Sequence, residues 1–233
     1  MVYWSDGGMR HRSVAIDGPA GAGKSTLAKQ AAKELGFLYV DTGAIYRTVA
    51  LKALRAGVDT SDASQVIPLL SGLDIRMDYG PDGGQRMFLD GEDVSQAIRE
   101  HRVSGLASQV AAVPEVRSFL LDYQRRLARE EDVVMDGRDI GTVVLPQADV
   151  KIFLTAAPEA RARRRLLELE QRGQQAEFDE ILRDIIQRDD QDRSRAVAPL
   201  RQAEDAVLLD TTQLNLSQSL QALLALIKEK ITL

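Results

Sequence analysis

Two hydrophobic rhythms alternate along this chain. Short, nearly unbroken apolar runs occur at 13–16, 37–40, 133–135, 150–154 and 206–209. Runs of that length and purity predict buried strands. Between them lie segments of helical period, at about 24–35, 44–55, 100–111, 114–130, 158–172, 177–195 and 217–230. Gly36 and Gly173 stand where helices stop, and Pro114 stands where one can start. Strand and helix in alternation predict an α/β architecture with a central parallel sheet flanked by helices.

Residues 61–99 break the alternation. Leu73-Asp74-Ile75-Arg76-Met77 alternates apolar and polar positions, Tyr79-Gly80-Pro81-Asp82-Gly83-Gly84 supplies turn residues, and Arg86-Met87-Phe88-Leu89 begins a second run. This pattern predicts a small antiparallel insert of two or three strands. The chain then divides into a tail at 1–12, a core at 13–61, 100–176 and 202–233, an insert at 62–99 and a charged helical segment at 177–201.

At 233 residues the chain can hold a substantial core. No apolar run is long enough for a membrane span. The first ten residues lack the basic start and apolar stretch of a secretory signal, and cysteine is absent. A cytoplasmic protein is expected. The 30 Lys and Arg against 35 Asp and Glu give a net charge of -5, which argues against a general nucleic-acid surface. Arginines nevertheless gather at 161–165 and 183–201. Local arginine clusters on an acidic protein suit a small anionic ligand held in a cleft.

The first predicted strand runs into Gly18-Pro19-Ala20-Gly21-Ala22-Gly23-Lys24-Ser25-Thr26, and a helix follows. Gly18, Gly23, Lys24 and Ser25 match the G-x-x-x-x-G-K-[ST] phosphate loop. Glycines let the backbone turn tightly around anionic oxygens, and its N–H groups line the concavity. Lys24 can reach the β- and γ-phosphates of a nucleoside triphosphate, and Ser25 can place its hydroxyl on Mg²⁺. Such a site also needs a carboxylate. Asp136 ends a buried strand and is preferred, while Asp17 is a second acid near the loop.

Two more loops carry arginine beside acid. Asp41-Thr42-Gly43-Ala44-Ile45-Tyr46-Arg47 ends one strand and starts a helix, which Asp41 can cap. Arg47, one turn in, can meet a phosphate with two prongs. Asp136-Gly137-Arg138-Asp139 follows another strand, and such loops meet at the carboxyl edge of a parallel sheet. The run Arg188-Asp189-Asp190-Gln191-Asp192-Arg193-Ser194-Arg195 is either a solvated helix or a lid whose arginines cover the phosphates and exclude water.

Six segments, 16–26, 41–47, 107–117, 136–144, 151–156 and 188–200, together resemble the bacterial cytidylate kinases, within the nucleoside monophosphate kinase group. The resemblance runs from about Ser13 to the C-terminus. It implies a P-loop kinase fold with an antiparallel insert in the monophosphate-binding region and a short helical lid. It implies transfer of the γ-phosphoryl group of ATP to CMP or dCMP, more weakly to UMP, with Mg²⁺. It implies a monomer without an obligate protein partner. By the same likeness, Ser108, Arg117 and Asp139 would recognise cytosine, and Arg47, Arg138 and Arg195 would hold the monophosphate. Arg188 and Asp192 would sit at the lid, Asp41 would support the pocket, and Tyr46 would pack there.

In-line transfer between two phosphates needs no protein nucleophile and no strong base, so neither His11 nor His101 is required. Lys24, Arg138, Arg188 and Arg195 would carry transition-state charge. Two other readings stay open on sequence grounds: a kinase for another monophosphate or small metabolite, and a regulatory P-loop NTPase.

Overall fold

The computed structural model describes residues 11–81, 83–171 and 173–231. Most of the segment read as a tail, the Asp82 turn position and the Arg172 end of the arginine-rich helix lie outside the described residues, as does the His101 side chain. A five-stranded parallel sheet has the order β2-β6-β1-β7-β8, formed by β1 Ser13–Asp17, β2 Leu38–Asp41, β6 Val133–Gly137, β7 Val150–Thr155 and β8 Val207–Asp210. The helices are α1 Lys24–Leu35, α2 Thr42–Ala56, α3 Ala63–Val66, α4 His101–Val110, α5 Pro114–Glu130, α6 Pro158–Gln171, α7 Phe178–Ser194 and α8 Leu216–Lys230. A separate antiparallel sheet, β3 Ile75–Tyr79, β4 Gln85–Leu89 and β5 Glu92–Asp93, occupies the interrupted region.

The central strands read as continuous apolar runs because both faces are covered. Val14 and Ile16 of β1, Val134 of β6 and Ile152 of β7 pack with Leu27 and Ala31 of α1 and Leu223 and Ile227 of α8. The intervening Ala15, Val133 and Met135 point the other way, to Ile45 and Val49 of α2, Val103 of α4 and Leu120 of α5. The two-residue period of a strand thus sorts one short run into two cores. No described helix is long and apolar enough to cross a membrane.

Three details depart from the sequence pattern. Helix α2 starts at Thr42, earlier than the apolar period indicates, because Asp41 caps it by accepting from Ala44 N at 2.9 Å. The interrupted region opens with α3 and a 3₁₀ turn, Ile67–Gly72, before its first strand. A π-turn, Ile140–Val144, follows β6. It is held from both ends by tertiary contacts: Asp17 accepts from the N–H groups of Ile140 and Gly141, and Arg125 donates to the carbonyls of Val143 and Val144.

Candidate active site

Strands β1, β2 and β6 are parallel neighbours, so Asp17, Asp41 and Asp136 all end on one edge of the sheet. The phosphate loop leaves from that edge. Gly18 has φ of 151°, and a Cβ there would fall 1.9 Å from the Leu154 carbonyl oxygen of β7. The obstacle is backbone, which cannot rotate away. Gly18→Ala is therefore expected to cost about 3 kcal/mol or more. A thermal melt checks this; an unchanged Tm would mean that the loop lifts off β7 without loss.

The loop delivers the start of α1 in an open state. Its N-cap, Gly23, lies in the left-handed region at φ 85° and supplies no side-chain cap. The first-turn N–H groups therefore keep their capacity for an anion, reinforced by the helix dipole. Lys24 is buried, with Nζ donating to Pro19 O inside its own loop at 2.8 Å.

Beside it, Asp136 accepts from Ser25 Oγ and from Tyr39 OH, each at 2.9 Å, and its carbonyl accepts from Thr42 Oγ1. Asp17, the other candidate acid, spends both oxygens on the two π-turn N–H groups at 2.7 Å. Only Asp136 has the loop hydroxyl as a neighbour. Burial pushes the Asp136 carboxyl up to about 6, helped by the nearby Asp41 and opposed by Lys24. Burial pulls the Lys24 ammonium down to about 7, helped by Arg138 and opposed by Asp136.

A cleft of about 350 Å³ joins the loop to the arginine-bearing segments. Of the residues singled out in the sequence, Ala20, Gly21, Gly23, Lys24, Ser25, Thr26, Asp41, Tyr46, Arg47, Ser108, Arg117, Asp136, Arg138, Asp139, Arg188, Asp192 and Arg195 all line it. Gly18, Pro19 and Ala22 do not; they shape the loop from behind.

Several of the charged groups pair with one another within the cleft. Arg47 donates to Asp41 at 2.8 Å. Arg117 and Asp139 form a buried ion pair, and the Arg117 guanidinium lies 5.5 Å from the Tyr46 ring centre. Asp192 is buried between two guanidiniums, accepting from Arg138 at 2.7 Å and from Arg195. Burial opposes its charge, yet Arg138 and Arg195 hold its carboxyl below the ordinary value. Arg188 is pulled down to about 10 by burial and by the neighbouring Arg138.

Four buried side-chain atoms lack a hydrogen-bond partner among the described residues, and two of them are Arg47 Nε and Arg188 Nε, both of cleft arginines. Unpaired buried donors are costly, so their concentration here marks a place made for an acceptor-rich ligand.

Arg164 and Glu168 of α6 also line the cleft; sequence reasoning left Arg164 undistinguished within the arginine cluster at 161–165 and did not single out Glu168. Their spacing of four puts them on one helix face, the signal available. Gln85 gave no signal at all. Its Oε1 accepts from Asp41 N at 2.7 Å and its Nε2 donates to Asp41 O at 3.2 Å, pairing with that backbone as a neighbouring strand would.

A parallel sheet whose first strand runs into a G-x-x-x-x-G-K-S loop, beside a cleft lined by Lys24, Arg47, Arg138, Arg188 and Arg195, defines the class of P-loop phosphotransferases. A family model described as cytidylate kinase matches residues 14–229. A cytidylate kinase of Caldicellulosiruptor bescii is 48% identical over 218 residues, covering 94% of this chain and 96% of the relative. One of Desulfitobacterium hafniense is 49% identical over 222 residues, covering 95% of each. One of Caldanaerobacter subterraneus is 51% identical over 201 residues, covering 86% and 88%. The chain belongs to the cytidylate kinase family.

Proposed function

We propose that the enzyme transfers the γ-phosphoryl group of ATP to CMP or dCMP, giving ADP and CDP or dCDP. The observation that carries this reading is the placement of two anion sites on one sheet edge. One is the phosphate loop with its uncapped helix. The other is the set of Arg47, Arg138, Arg188 and Arg195, with two guanidinium Nε groups unpaired. Family membership supplies the acceptor.

In this reading Lys24 and the loop N–H groups hold the triphosphate. Arg47, Arg138 and Arg195 hold the acceptor phosphate, with Asp41 and Tyr46 supporting the pocket. Arg188 and Asp192 act from α7, the lid. An oxygen of the acceptor phosphate attacks the γ-phosphorus in line, the bond to the β-phosphate oxygen breaks, and ADP leaves. The acceptor is already anionic at neutral pH, so no base is needed. Catalysis comes from alignment and charge neutralisation.

Asp139, Arg117 and Ser108 face the acceptor base. Cytosine presents an amino donor and two acceptors, complementary to a carboxylate with neighbouring donors. Uracil offers the Asp139 carboxylate a carbonyl instead, so UMP is the weaker substrate.

The Ser25 hydroxyl and Asp136 carboxylate form the donor set for Mg²⁺. One carboxylate and one hydroxyl suit an ion that keeps several waters and takes its remaining oxygens from phosphates. When bound, the ion would neutralise charge shared by the β- and γ-phosphates. The reading takes the enzyme as a monomer without an obligate protein partner. The reading places the enzyme in the cytoplasm with its nucleotide substrates.

An acceptor panel tests the assignment: ADP release measured with ATP, Mg²⁺ and each of CMP, dCMP, UMP, AMP and GMP. CMP and dCMP should dominate. ATP loss unaffected by CMP would instead indicate a P-loop NTPase without an acceptor.

Nucleotide binding should also be linked to protons. Burial pulls the Lys24 ammonium down to about 7 before nucleotide binds, whereas a bound polyphosphate favours the charged ammonium and raises that value. Above pH 7 the complex then holds more protons than its components. ATP affinity should weaken as pH rises from 7 to about 9, with net proton uptake. Calorimetry at pH 8 in two buffers of different ionisation enthalpy checks this; equal heats would remove Lys24 from the triphosphate site.

A further inference from the structure

One ion pair is sealed from solvent behind the cleft and serves none of the roles assigned above. Arg161 of α6 and Asp189 of α7 are each 2% exposed. Arg161 Nη2 donates to Asp189 Oδ2 at 2.6 Å, and Nη1 donates to Oδ1 at 3.1 Å. The same guanidinium also serves backbone. Nη1 donates to Ala20 O in the phosphate loop at 2.9 Å, and Nε donates to Ala156 O, just past β7, at 2.8 Å. One side chain thereby joins the triphosphate loop, the sheet edge and the helix that carries Arg188 and Asp192.

We propose that Arg161 is a positioning residue for phosphoryl transfer: through Asp189 it sets the rotation and depth of α7 against the phosphate loop. This rests on the phosphotransfer reading above. The rest of the seam between α6 and α7 is apolar, built on Ala162, Ile181 and Ile185 with Leu166 and Leu182. Apolar contact is non-directional, so it sets the rotation of a helix about its axis less sharply than a directional bond does. A guanidinium fork on a carboxylate is directional. A buried pair is also a weak source of stability, since desolvation offsets its attraction. Orientation is what it supplies better than two apolar side chains would.

The consequence for chemistry follows from helical spacing. Asp189 adjoins Arg188 and lies three residues before Asp192, so turning α7 about its axis moves all three together. Asp192 accepts from both Arg138 and Arg195, so an error in α7 reaches those arginines as well.

The test compares the parent enzyme with the double variant Arg161→Met/Asp189→Leu and with Arg161→Lys. The double variant removes both charges and refills the space with apolar atoms. Because the Ala20 and Ala156 carbonyls lose their Arg161 donor, it is expected to melt measurably below the parent, and at a temperature where it stays folded kcat falls on the order of 10²-fold. More than one ADP should appear per CDP formed, because a misplaced α7 admits water. Arg161→Lys keeps the charge without the fork and should recover only part of kcat. A double variant with parental kcat and equal yields of ADP and CDP overturns the proposal. So does one whose kcat returns to the parental value at a lower temperature where it is fully folded, which would make the pair a stability device. If the parent itself fails to use CMP, the acceptor reading is wrong. The same variants are then read on ATP turnover alone, where an unchanged rate overturns the positioning role.

Discussion

Lys24→Ala is expected to lower kcat by about 10²–10³-fold while CMP still binds. Lys24 lies in the phosphate loop, buried, with its ammonium held by the carbonyl of Pro19 at 2.8 Å. In the proposed reading that position serves the triphosphate, whereas Ser108, Arg117 and Asp139 serve the acceptor base. The ammonium therefore acts where negative charge shifts during transfer and contributes little to the acceptor. The fold should survive the change. Burial already disfavours the charge on Lys24, so removing it relieves a desolvation cost that offsets part of the lost packing. Steady-state turnover, CMP titration and a thermal melt on one preparation separate these effects. Near-normal turnover would show that the loop lysine does not serve transfer.

Asp139→Asn should act on both stability and acceptor choice. Asp139 and Arg117 pair where both side chains are nearly sealed, 6% and 8% exposed. Removing one partner of a buried pair costs about 3–5 kcal/mol, because the other charge stays buried. Asparagine keeps a carbonyl acceptor for Arg117, and Arg117 also donates to Ala111 O, so a loss nearer 2 kcal/mol is expected. At the base, a carboxylate that only accepts becomes an amide that accepts or donates. The amide can turn its NH₂ toward the uracil carbonyl. The CMP-to-UMP ratio of kcat/KM should fall by about tenfold or more. Measured ratios for parent and variant decide the matter, and an unchanged ratio would remove Asp139 from base recognition whatever happens to Tm.

Much of this site was readable because its parts are local. A strand, a glycine loop and a helix in direct succession specify the cradle around Lys24, and Asp41 caps the helix that begins at the next residue by accepting from an N–H only three residues away. Other parts were opaque for a physical reason. In the run Arg188-Asp189-Asp190-Gln191-Asp192, charge density suggests a solvated helix surface. The buried positions of α7 are Ile181, Ile185, Asp189 and Asp192, so its apolar face continues at helical spacing into two acids. The phase was present in the sequence, but hydrophobicity could not mark it, since those acids are buried by pairing with arginines on other elements. The π-turn at 140–144 was opaque in the same way: Asp17 and Arg125 hold it from far along the chain.

Neighbouring residues in the chain thus carried the order of strands and helices, the phosphate loop and the strand ends at which ligands meet, because these depend on period, turn chemistry and spacing over a few residues. Folding alone settled which acid faced which base. Asp136 met Ser25 while Asp17 went to backbone, Asp139 took Arg117, and Asp192 drew in Arg138 as well as Arg195. Burial raises the cost of leaving any of these charges unpaired, and the partners that satisfy them lie mostly on different elements, where only the packed sheet and helices bring them within reach.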